Sequence, residues 1–316
     1  MGKPPPKTVK RKIRRVKPAF DVDQVVASLE STLGEDTIHT GASSDQGEPT
    51  IWIPSGVPGL DPVLDRELRG WPGGRIVEVF GGPGSCKTGL GYAVVAEAQK
   101  LGGVGVLYPT EGNYDEWLAQ ECYGVDTRRL VIPDEHDTVE AVFGSWTKLM
   151  RDVGKRGLVV GVIDSIANLS TREELEDPEI SRTRAQQIRA LLISQAMRKI
   201  GARIPKTKTL LFCINQTREG DTTPTGQKGK PKPPGGSSIK FMASVRLRLE
   251  VLQKRWKQSG GQKMVGGFDL RITAEKNRMA RPYQMSTLRL DFDNGWIDPA
   301  AKKAKKKTTR KKVRKI

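Results

Sequence analysis

Cysteine and long apolar runs are both scarce in this sequence. The 316 residues include three cysteines, Cys86, Cys122 and Cys213, which excludes a disulfide scaffold and favours a reducing compartment. No apolar run approaches the roughly 20 residues that span a bilayer. The N-terminus also lacks the apolar segment of a secretory signal. We therefore expect a cytoplasmic protein without a membrane partner.

Acidic residues are absent from both ends of the chain. Residues 1–20 hold eight lysines and arginines and residues 301–316 hold ten, which leaves 36 of the 54 basic residues to balance the 36 acidic ones in between. The net charge of +18 therefore lies on two tails, residues 1–20 and 300–316. We expect these tails to be disordered when free and to attract nucleic-acid phosphates. A role in solubility or as a localisation signal is the alternative.

A short amphipathic helix is predicted near the N-terminus, over residues 21–34. Val25, Leu29 and Leu33 recur there at helical spacing and form one apolar face. A polar stretch, which ends at residue 50, separates this helix from the rest of the sequence. The apolar face therefore either packs on a neighbouring molecule or folds back on its own domain.

Strands and helices alternate from residue 51 onward, which predicts one α/β domain over residues 51–299. Apolar strands alternating with helices favour a mostly parallel sheet that is flanked by helices on both faces. The predicted strands are 75–80, 104–108, 130–132, 158–163, 209–215, 245–253, 268–276 and 286–292. The predicted helices are 88–101, 115–123, 138–153 and 184–199.

A glycine-rich turn follows the first of these strands. Residues 81–88 match the phosphate-loop pattern G-x-x-x-x-G-K-[ST] except at Cys86. Backbone N–H groups of such a loop surround the phosphates, Lys87 would reach the β- and γ-phosphates, and Thr88 would ligate Mg²⁺. The turn therefore predicts a nucleoside triphosphate as ligand, held by Gly81, Gly82, Pro83, Gly84, Ser85, Cys86, Lys87 and Thr88.

Cys86 stands where the pattern has glycine, and three interpretations follow. Its side chain is tolerated at little cost if the backbone angles are negative, and costs on the order of 1–2 kcal/mol in the left-handed conformation. A displaced Lys87 would instead slow turnover. In the third interpretation, the helix N-terminus and the neighbouring lysine lower the pKa of the thiol, so that its oxidation could gate phosphate binding.

Two acidic residues that follow predicted strands are candidates for the same site. Asp164 ends the strand 158–163 and fits the second group that holds Mg²⁺ in phosphate-loop enzymes. Glu111 follows the strand 104–108, where a carboxylate can activate the attacking water. On spacing alone, an ordinary surface glutamate explains Glu111 equally well.

Several longer stretches resemble the RecA recombinase family of bacteria, and the resemblance covers residues 25–299. It implies a RecA-like phosphate-loop ATPase core that uses ATP and Mg²⁺. The implied partners are single-stranded DNA, double-stranded DNA and further copies of the chain in a helical filament. The matching stretches are 74–81, 163–165, 194–199, 214–216, 239–247 and 276–282.

The resemblance implies catalytic roles for individual residues. Glu111 corresponds to the glutamate that activates the hydrolytic water. Gln216 corresponds to the glutamine that senses the γ-phosphate and passes that state to the following DNA-binding loop. Lys276 and Arg278 correspond to two basic residues that reach the ATP of the adjacent subunit, with arginine here in place of lysine at the second position.

The resemblance also implies where the adenine and the neighbouring subunits bind. Asp115 corresponds to an acidic residue near the adenine. The family's adenine-stacking tyrosine is missing, because Leu118 occupies its position next to Trp117. The residues that correspond to subunit contacts are Val25, Leu29, Phe241 and Arg246.

Two loops and one helix are implied as the DNA-binding surface. The loops are residues 172–186 and 217–238, and the second is rich in glycine, proline and lysine. Family members from bacteria carry a further C-terminal domain with an acidic tail, whereas here a basic tail follows the core and is expected to add DNA affinity. The candidate DNA-binding residues are Arg198, Arg182, Arg184, Arg189, Arg218, Lys228, Lys230 and Lys232.

The sequence therefore predicts an ATP-dependent recombinase that forms filaments on single-stranded DNA and promotes homologous pairing and strand exchange. The leading alternative is an ATP-binding nucleoprotein filament or recombination mediator that barely hydrolyses ATP. A ring-shaped motor with the same core is a weaker alternative, because the separate N-terminal helix favours a filament. A bacterial, phage or organelle origin fits each of these hypotheses.

Overall fold

The computed structural model of the protein describes residues 22–34, 47–177, 179–217 and 238–299. Both predicted basic tails, part of the predicted linker and most of the predicted loop 217–238 lie outside these ranges. The chain divides into two compact units, residues 1–48 and 49–316. Among the described residues, no helix is both long and apolar enough to cross a membrane.

The described part of the first unit contains helix α1 (Val22–Leu33), where the sequence predicts a helix over 21–34. None of its residues is buried. The apolar positions Val25 and Leu29 are 49% and 44% exposed, respectively. The face that the helical spacing predicts therefore consists of exposed side chains.

The described residues of the second unit contain a nine-stranded sheet, in the order β11-β10-β9-β8-β3-β7-β6-β4-β5. Strands β8, β3, β7, β6, β4 and β5 pair in parallel, whereas β8 to β11 form antiparallel pairs. A separate two-stranded pair joins β1 (Trp52–Ile53) to β2 (Trp71–Pro72). The large sheet contains β3 (Arg75–Gly81), β4 (Val104–Tyr108), β5 (Leu130–Val131), β6 (Val159–Ile163), β7 (Thr209–Gln216), β8 (Val245–Ser259), β9 (Gln262–Asn277), β10 (Met285–Asp291) and β11 (Gly295–Ile297).

Helices cover both faces of the parallel strands. Successive side chains of a strand point to opposite faces of the sheet, and both faces here are apolar. On one face, Val160 and Val162 of β6 join a core cluster with Leu90 and other residues of the helix that follows the phosphate loop. On the other face, Val159 and Ile163 join a second cluster with three further helices. The helices of this unit are α2 (Asp61–Leu64), α3 (Lys87–Lys100), α4 (Val139–Asp152), α5 (Arg172–Glu176), α6 (Arg182–Arg203) and α7 (Ser238–Met242).

Three of the predicted segments differ from the structure, and the short elements α2, α7, β1, β2 and β11 were not predicted. Residues 115–123 were expected to form an α-helix, but Leu118–Cys122 is a π-helical turn. The predicted loop 172–186 is largely helical, because Thr171 caps α5 through a reciprocal pair of hydrogen bonds with Glu174 and α6 begins at residue 182. Strands β8 and β9 extend beyond the predicted ranges to 15 and 16 residues and pair along almost their whole length.

Gly161, in the middle of β6, is expected not to tolerate a side chain. A β-carbon there would lie 2.4 Å from the ring of Trp146, which is fully buried on α4. We expect Gly161→Ala to lower the free energy of unfolding by about 1–3 kcal/mol, the usual cost of overpacking a core. Chemical denaturation measures this change.

The matched control for this prediction is Gly157→Ala. No atom lies within 4 Å of a β-carbon built on Gly157, so its unfolding free energy should change by less than about 0.5 kcal/mol. Equal losses of stability in the two variants would contradict the packing of α4 on β6.

Candidate nucleotide-binding site

The phosphate loop lies between the end of β3 and the start of α3. All seven residues of β3 are buried, and α3 begins at Lys87. Gly81 requires the absence of a side chain, since a β-carbon there would lie 2.4 Å from the carbonyl oxygen of Leu249. The loop thus joins a fixed central strand to a helix N-terminus, where backbone N–H groups and the helix dipole favour an anion.

Lys87 is folded onto its own loop. Its Nζ donates to the carbonyl oxygens of Gly81 at 3.3 Å and Gly82 at 2.8 Å, and to Oγ of Ser85 at 3.2 Å. Burial lowers the pKa of Lys87, an effect that the charges of Asp164 and Glu111 partly offset. A buried ammonium held by neutral carbonyls is poised to bind an anion that enters the loop.

Thr88 and Asp164 lie together on the carboxyl side of the sheet. The Thr88 hydroxyl donates to Oδ2 of Asp164 at 2.5 Å. Burial raises the pKa of Asp164, and the nearby Glu111 adds to that rise. A hydroxyl and a carboxylate at this separation offer the hard oxygen ligands that Mg²⁺ prefers when it is shared with phosphates, so the pair fits a Mg²⁺–nucleotide complex.

Glu111 is held by two side chains from neighbouring strands. Its Oε1 accepts a hydrogen bond from Nε2 of Gln216 at 2.5 Å and one from Oγ of Ser165 at 2.9 Å. Its backbone N–H donates to the carbonyl oxygen of Asp164 at 3.3 Å. The structure therefore brings Glu111, Asp164 and Gln216 together beside Thr88, as the sequence analysis expects.

Ser165 and Asn215 are polar neighbours of this cluster that the sequence analysis does not identify as site residues. Ser165 follows β6 next to Asp164, and Asn215 is the penultimate residue of β7 next to Gln216. Oδ1 of Asn215 accepts a hydrogen bond from the Gln216 N–H at 3.0 Å. A polar residue at the carboxyl end of a parallel strand is the sequence signal that could have identified both.

The residues expected near the adenine are more exposed than those around the phosphate loop. Asp115 is exposed, and its Oδ1 accepts a hydrogen bond from the Leu118 N–H at 2.9 Å. Trp117 is 64% exposed, whereas Leu118 packs against the core. Leu118 therefore does not present a free stacking face, in contrast with Trp117.

Lys276 and Arg278 are not directed at the phosphate loop of their own chain. Nζ of Lys276 donates to the carbonyl oxygens of Lys240 at 2.9 Å and Phe241 at 2.8 Å, and Arg278 donates to Phe241 at 3.2 Å. Strand β9 is antiparallel to its neighbours, so Lys276 is level with Arg246, which is in turn level with Glu78 of β3. Both cations therefore lie nearer the amino ends of the parallel strands than the phosphate loop does, because the loop follows the carboxyl end of β3.

The other predicted interface residues differ in their exposure. Phe241 is 64% exposed. Arg246 is 5% exposed, and its Nε donates to Oε2 of the buried Glu78 at 2.5 Å. Arg246 is thus buried and paired with Glu78 within its own chain.

The predicted DNA-binding arginines of the described part lie on α6. Arg182 and Arg198 are exposed. Arg184 forms an ion pair with Glu173 at 2.9 Å, and Arg189 forms one with Glu174. These two pairs connect the start of α6 to α5. The remaining candidates, Arg218, Lys228, Lys230 and Lys232, lie outside the described residues.

Cys86 adopts the left-handed conformation, with φ 61° and ψ 30°. For a residue with a β-carbon, this conformation costs about 1–2 kcal/mol. Burial raises the pKa of its thiol to about 12, and the charge of Lys87 offsets this only in part. The expectation of a lowered thiol pKa is therefore wrong, because the half-buried side chain packs against the apolar core. A protonated thiol is a poor nucleophile towards oxidants.

Replacing Cys86 with glycine should stabilise the protein. Relief of the left-handed strain, about 1–2 kcal/mol, is opposed by the extra unfolded-state entropy of glycine and by the lost packing of the half-buried side chain, so we expect a net gain of no more than about 0.5 kcal/mol in chemical denaturation. Wild type and Cys86→Gly should also retain the same fraction of ATP-analogue binding after peroxide treatment. A loss of binding that is confined to the wild type would contradict the raised thiol pKa.

Comparisons with known proteins agree with this geometry. The family model for the RecA N-terminal domain matches residues 21–297. The chain is 31% identical to protein RecA of Francisella philomiragia, over 87% of this chain and 72% of that protein. It is 33% identical to protein RecA of Symbiobacterium thermophilum, over 87% of this chain and 74% of that protein. It is 32% identical to protein RecA of Lactobacillus delbrueckii subsp. bulgaricus, over 86% of this chain and 80% of that protein. The resemblance and the α/β fold class predicted from the sequence are thereby confirmed: the chain belongs to the RecA family.

Proposed function

We propose that this protein is a DNA-dependent ATPase that assembles into filaments on single-stranded DNA and promotes homologous pairing and strand exchange. RecA-family proteins are DNA-dependent ATPases in recombination and repair. The observation that carries the proposal for this chain is the contact of Gln216 with Glu111 beside the Thr88–Asp164 pair. A site built to bind a nucleotide without hydrolysing it would not need a carboxylate held in this position.

The proposed reaction is attack of a water molecule on the γ-phosphorus of ATP, which releases ADP and phosphate. Glu111 orients the water and accepts its proton, while Lys87 neutralises charge on the β- and γ-phosphates. Thr88 and Asp164 would hold Mg²⁺, which supplies Lewis-acid stabilisation of phosphate charge when it is bound. Gln216 touches Glu111 and would contact the γ-phosphate, so its position would report whether that phosphate is present.

The remaining cations of the proposed site come from a second copy of the chain. Lys276 and Arg278 bond to carbonyls of α7 within their own chain, and they precede the edge that carries the loop. In a head-to-tail assembly, the same surface can face the phosphate loop of the next protomer. Hydrolysis would then require assembly, since transition-state charge is stabilised only when both subunits are present.

The proposed DNA surface combines the exposed arginines of α6 with segments outside the described residues. Arg182 and Arg198 are exposed on α6, while Arg184 and Arg189 would have to exchange Glu173 and Glu174 for phosphate. Loop 217–238 begins directly after Gln216, so the γ-phosphate sensor and the DNA-binding loop are continuous in the chain. Binding mainly through phosphates would hold DNA with little dependence on its sequence.

Mixing two inactive variants tests whether Lys276 acts on the neighbouring site. Lys276→Ala removes the cation but keeps Glu111, whereas Glu111→Gln removes the water-activating carboxylate but keeps Lys276. In a 1:1 mixture on single-stranded DNA, roughly a quarter of the sites would combine an intact Glu111 with a neighbour's intact Lys276. We therefore expect ATP hydrolysis to recover to about a quarter of the wild-type rate.

The control for this experiment is Lys240→Ala, which removes an exposed cation of α7 whose side chain has no role in the proposed site. It should hydrolyse ATP at the wild-type rate alone. If each variant is inactive alone and their mixture stays inactive although filaments form, Lys276 acts in its own subunit and the composite site is wrong. Wild type that does not hydrolyse ATP with DNA would overturn the proposed function itself.

The charge of Lys276 also predicts a dependence on pH. Burial, together with the nearby Arg278 and Arg246, lowers the pKa of Lys276 to about 8. In the free protomer the ammonium is present below this pH and is lost as the pH rises through it. Assembly against a neighbour's triphosphate would favour the ammonium, so above about pH 8 it must take up a proton, and ATP hydrolysis at limiting protein concentration should decline there. Lys276→Arg retains its cation, because a guanidinium titrates above about pH 12.

The measurement is the ATPase rate of each protein across the alkaline range, normalised to its own value at neutral pH. The Lys276→Arg profile should remain flat where that of the wild type declines. Superimposable alkaline declines would exclude Lys276 as the titrating group.

A further inference from the structure

A cluster of buried polar side chains on β7, β3 and β8 has no part in the proposed reaction. It lies across β7 from the strands that carry Asp164 and Glu111. Its members are Glu78, Asn215 and Arg246, which are 1%, 1% and 5% exposed. Glu78 of β3 is level with Arg246 of β8, and Asn215 lies on β7 two residues beyond the position that is level with Glu78. Burying a carboxylate, an amide and a guanidinium is costly unless each finds a partner, so the cluster calls for an explanation beyond packing.

Asn215 connects this cluster directly to the proposed catalytic pair. Its Nδ2 donates to Oε1 of Glu78 at 3.0 Å, while its Oδ1 accepts the backbone N–H of Gln216 at 3.0 Å. The side chain of Gln216 in turn donates to Glu111 at 2.5 Å. The side-chain amide of Asn215 therefore links the buried carboxylate of Glu78 to Gln216. Gln216 is the residue that contacts Glu111, the proposed water-activating carboxylate.

The polarity of the Asn215 amide is fixed by its partners. A carboxylate only accepts hydrogen bonds, so Glu78 must face the NH₂ group. The amide oxygen is then left for the Gln216 N–H, which donates. With both ends occupied, Asn215 fixes the backbone of Gln216 at the point where β7 ends and loop 217–238 begins.

Arg246 extends the same cluster towards the end of β9. Besides the 2.5 Å bond to Glu78, its guanidinium lies 4.7 Å from the ring centroid of Phe80 and 3.8 Å from Glu275. Arg246 pairs in register with Lys276 on β9. The cluster thus spans the sheet from the Gln216 end of β7 to the strand that carries the proposed intersubunit cation.

We propose that Asn215 is a positioning residue for ATP hydrolysis: held by the Glu78–Arg246 pair, it fixes Gln216 against Glu111. The inference rests on the proposed function. Asn215 itself touches neither nucleotide nor water in this account.

The first test is Asn215→Ala, with Ile214→Val as the matched control. Ile214 is buried on the same strand and belongs to the opposite face, so Ile214→Val lowers stability without touching the cluster. We expect Asn215→Ala to lower kcat about 10- to 100-fold, the usual effect of a misplaced catalytic group. Its KM for ATP should stay within about twofold, because the phosphate loop is intact. Ile214→Val should retain both constants.

The second test is a rescue. Asn215→Asp places two carboxylates together and should lose at least as much kcat as Asn215→Ala. Adding Glu78→Gln turns the facing carboxylate into an amide, whose NH₂ group can donate to the new carboxylate at position 215 while its oxygen still accepts from Arg246. The double variant Glu78→Gln/Asn215→Asp should therefore recover kcat by about tenfold or more over Asn215→Asp.

The outcomes separate the inference from the proposed function. If wild type hydrolyses ATP with DNA but Asn215→Ala retains its kcat, the positioning role is wrong and the proposed function stands. A parallel fall of kcat in Asn215→Ala and Ile214→Val at equal stability, or no rescue in the double variant, also overturns the positioning role. Wild type without ATPase activity would overturn the proposed function.

Discussion

The parallel pairing of β3, β7, β6 and β4 is the constraint on which the candidate site depends. Parallel strands bring their carboxyl ends to one edge, and this places the phosphate loop, Gln216, Asp164 and Glu111 side by side although they are far apart in sequence. The hydrogen bonds among these residues are consequences of that register. Shifting one strand by a single residue would move its site residue to the opposite face of the sheet.

The antiparallel half of the sheet has a different consequence. Because β9 runs against β8, its C-terminal end carries Lys276 and Arg278 towards α7 and away from the loop of the same chain. A nucleotide site that needs these cations is then incomplete in one protomer. Assembly and nucleotide state would be coupled for this reason, and each would alter the equilibrium of the other. The buried side chains of Asn215, Glu78 and Arg246 form hydrogen bonds across strands β7, β3 and β8.

Local pattern predicted much of this arrangement. Apolar runs such as 158–163 and 209–215 located the parallel strands, and Gly81, Lys87 and Asp164 pointed to the candidate nucleotide site. Thr171 and Glu174 form the T-x-x-E pattern of a capping box, so the sequence carries a signal for the helix inside the expected loop that the family resemblance led us to overlook. The raised thiol pKa of Cys86 was missed for a different reason: the sequence reveals a neighbouring lysine, but burial against the core outweighs its charge. The roles that we propose for Asn215 and Glu78 depend on strand register, which no local signal specifies.

The central claim is that two subunits complete one hydrolytic site. The most direct measurement is the ATPase rate per protein molecule as a function of protein concentration, with and without single-stranded DNA, together with electron microscopy of the same samples. The account predicts a rate that rises cooperatively with concentration, depends on DNA and appears together with filaments. A constant rate per molecule that is independent of DNA and arises without filaments would contradict it.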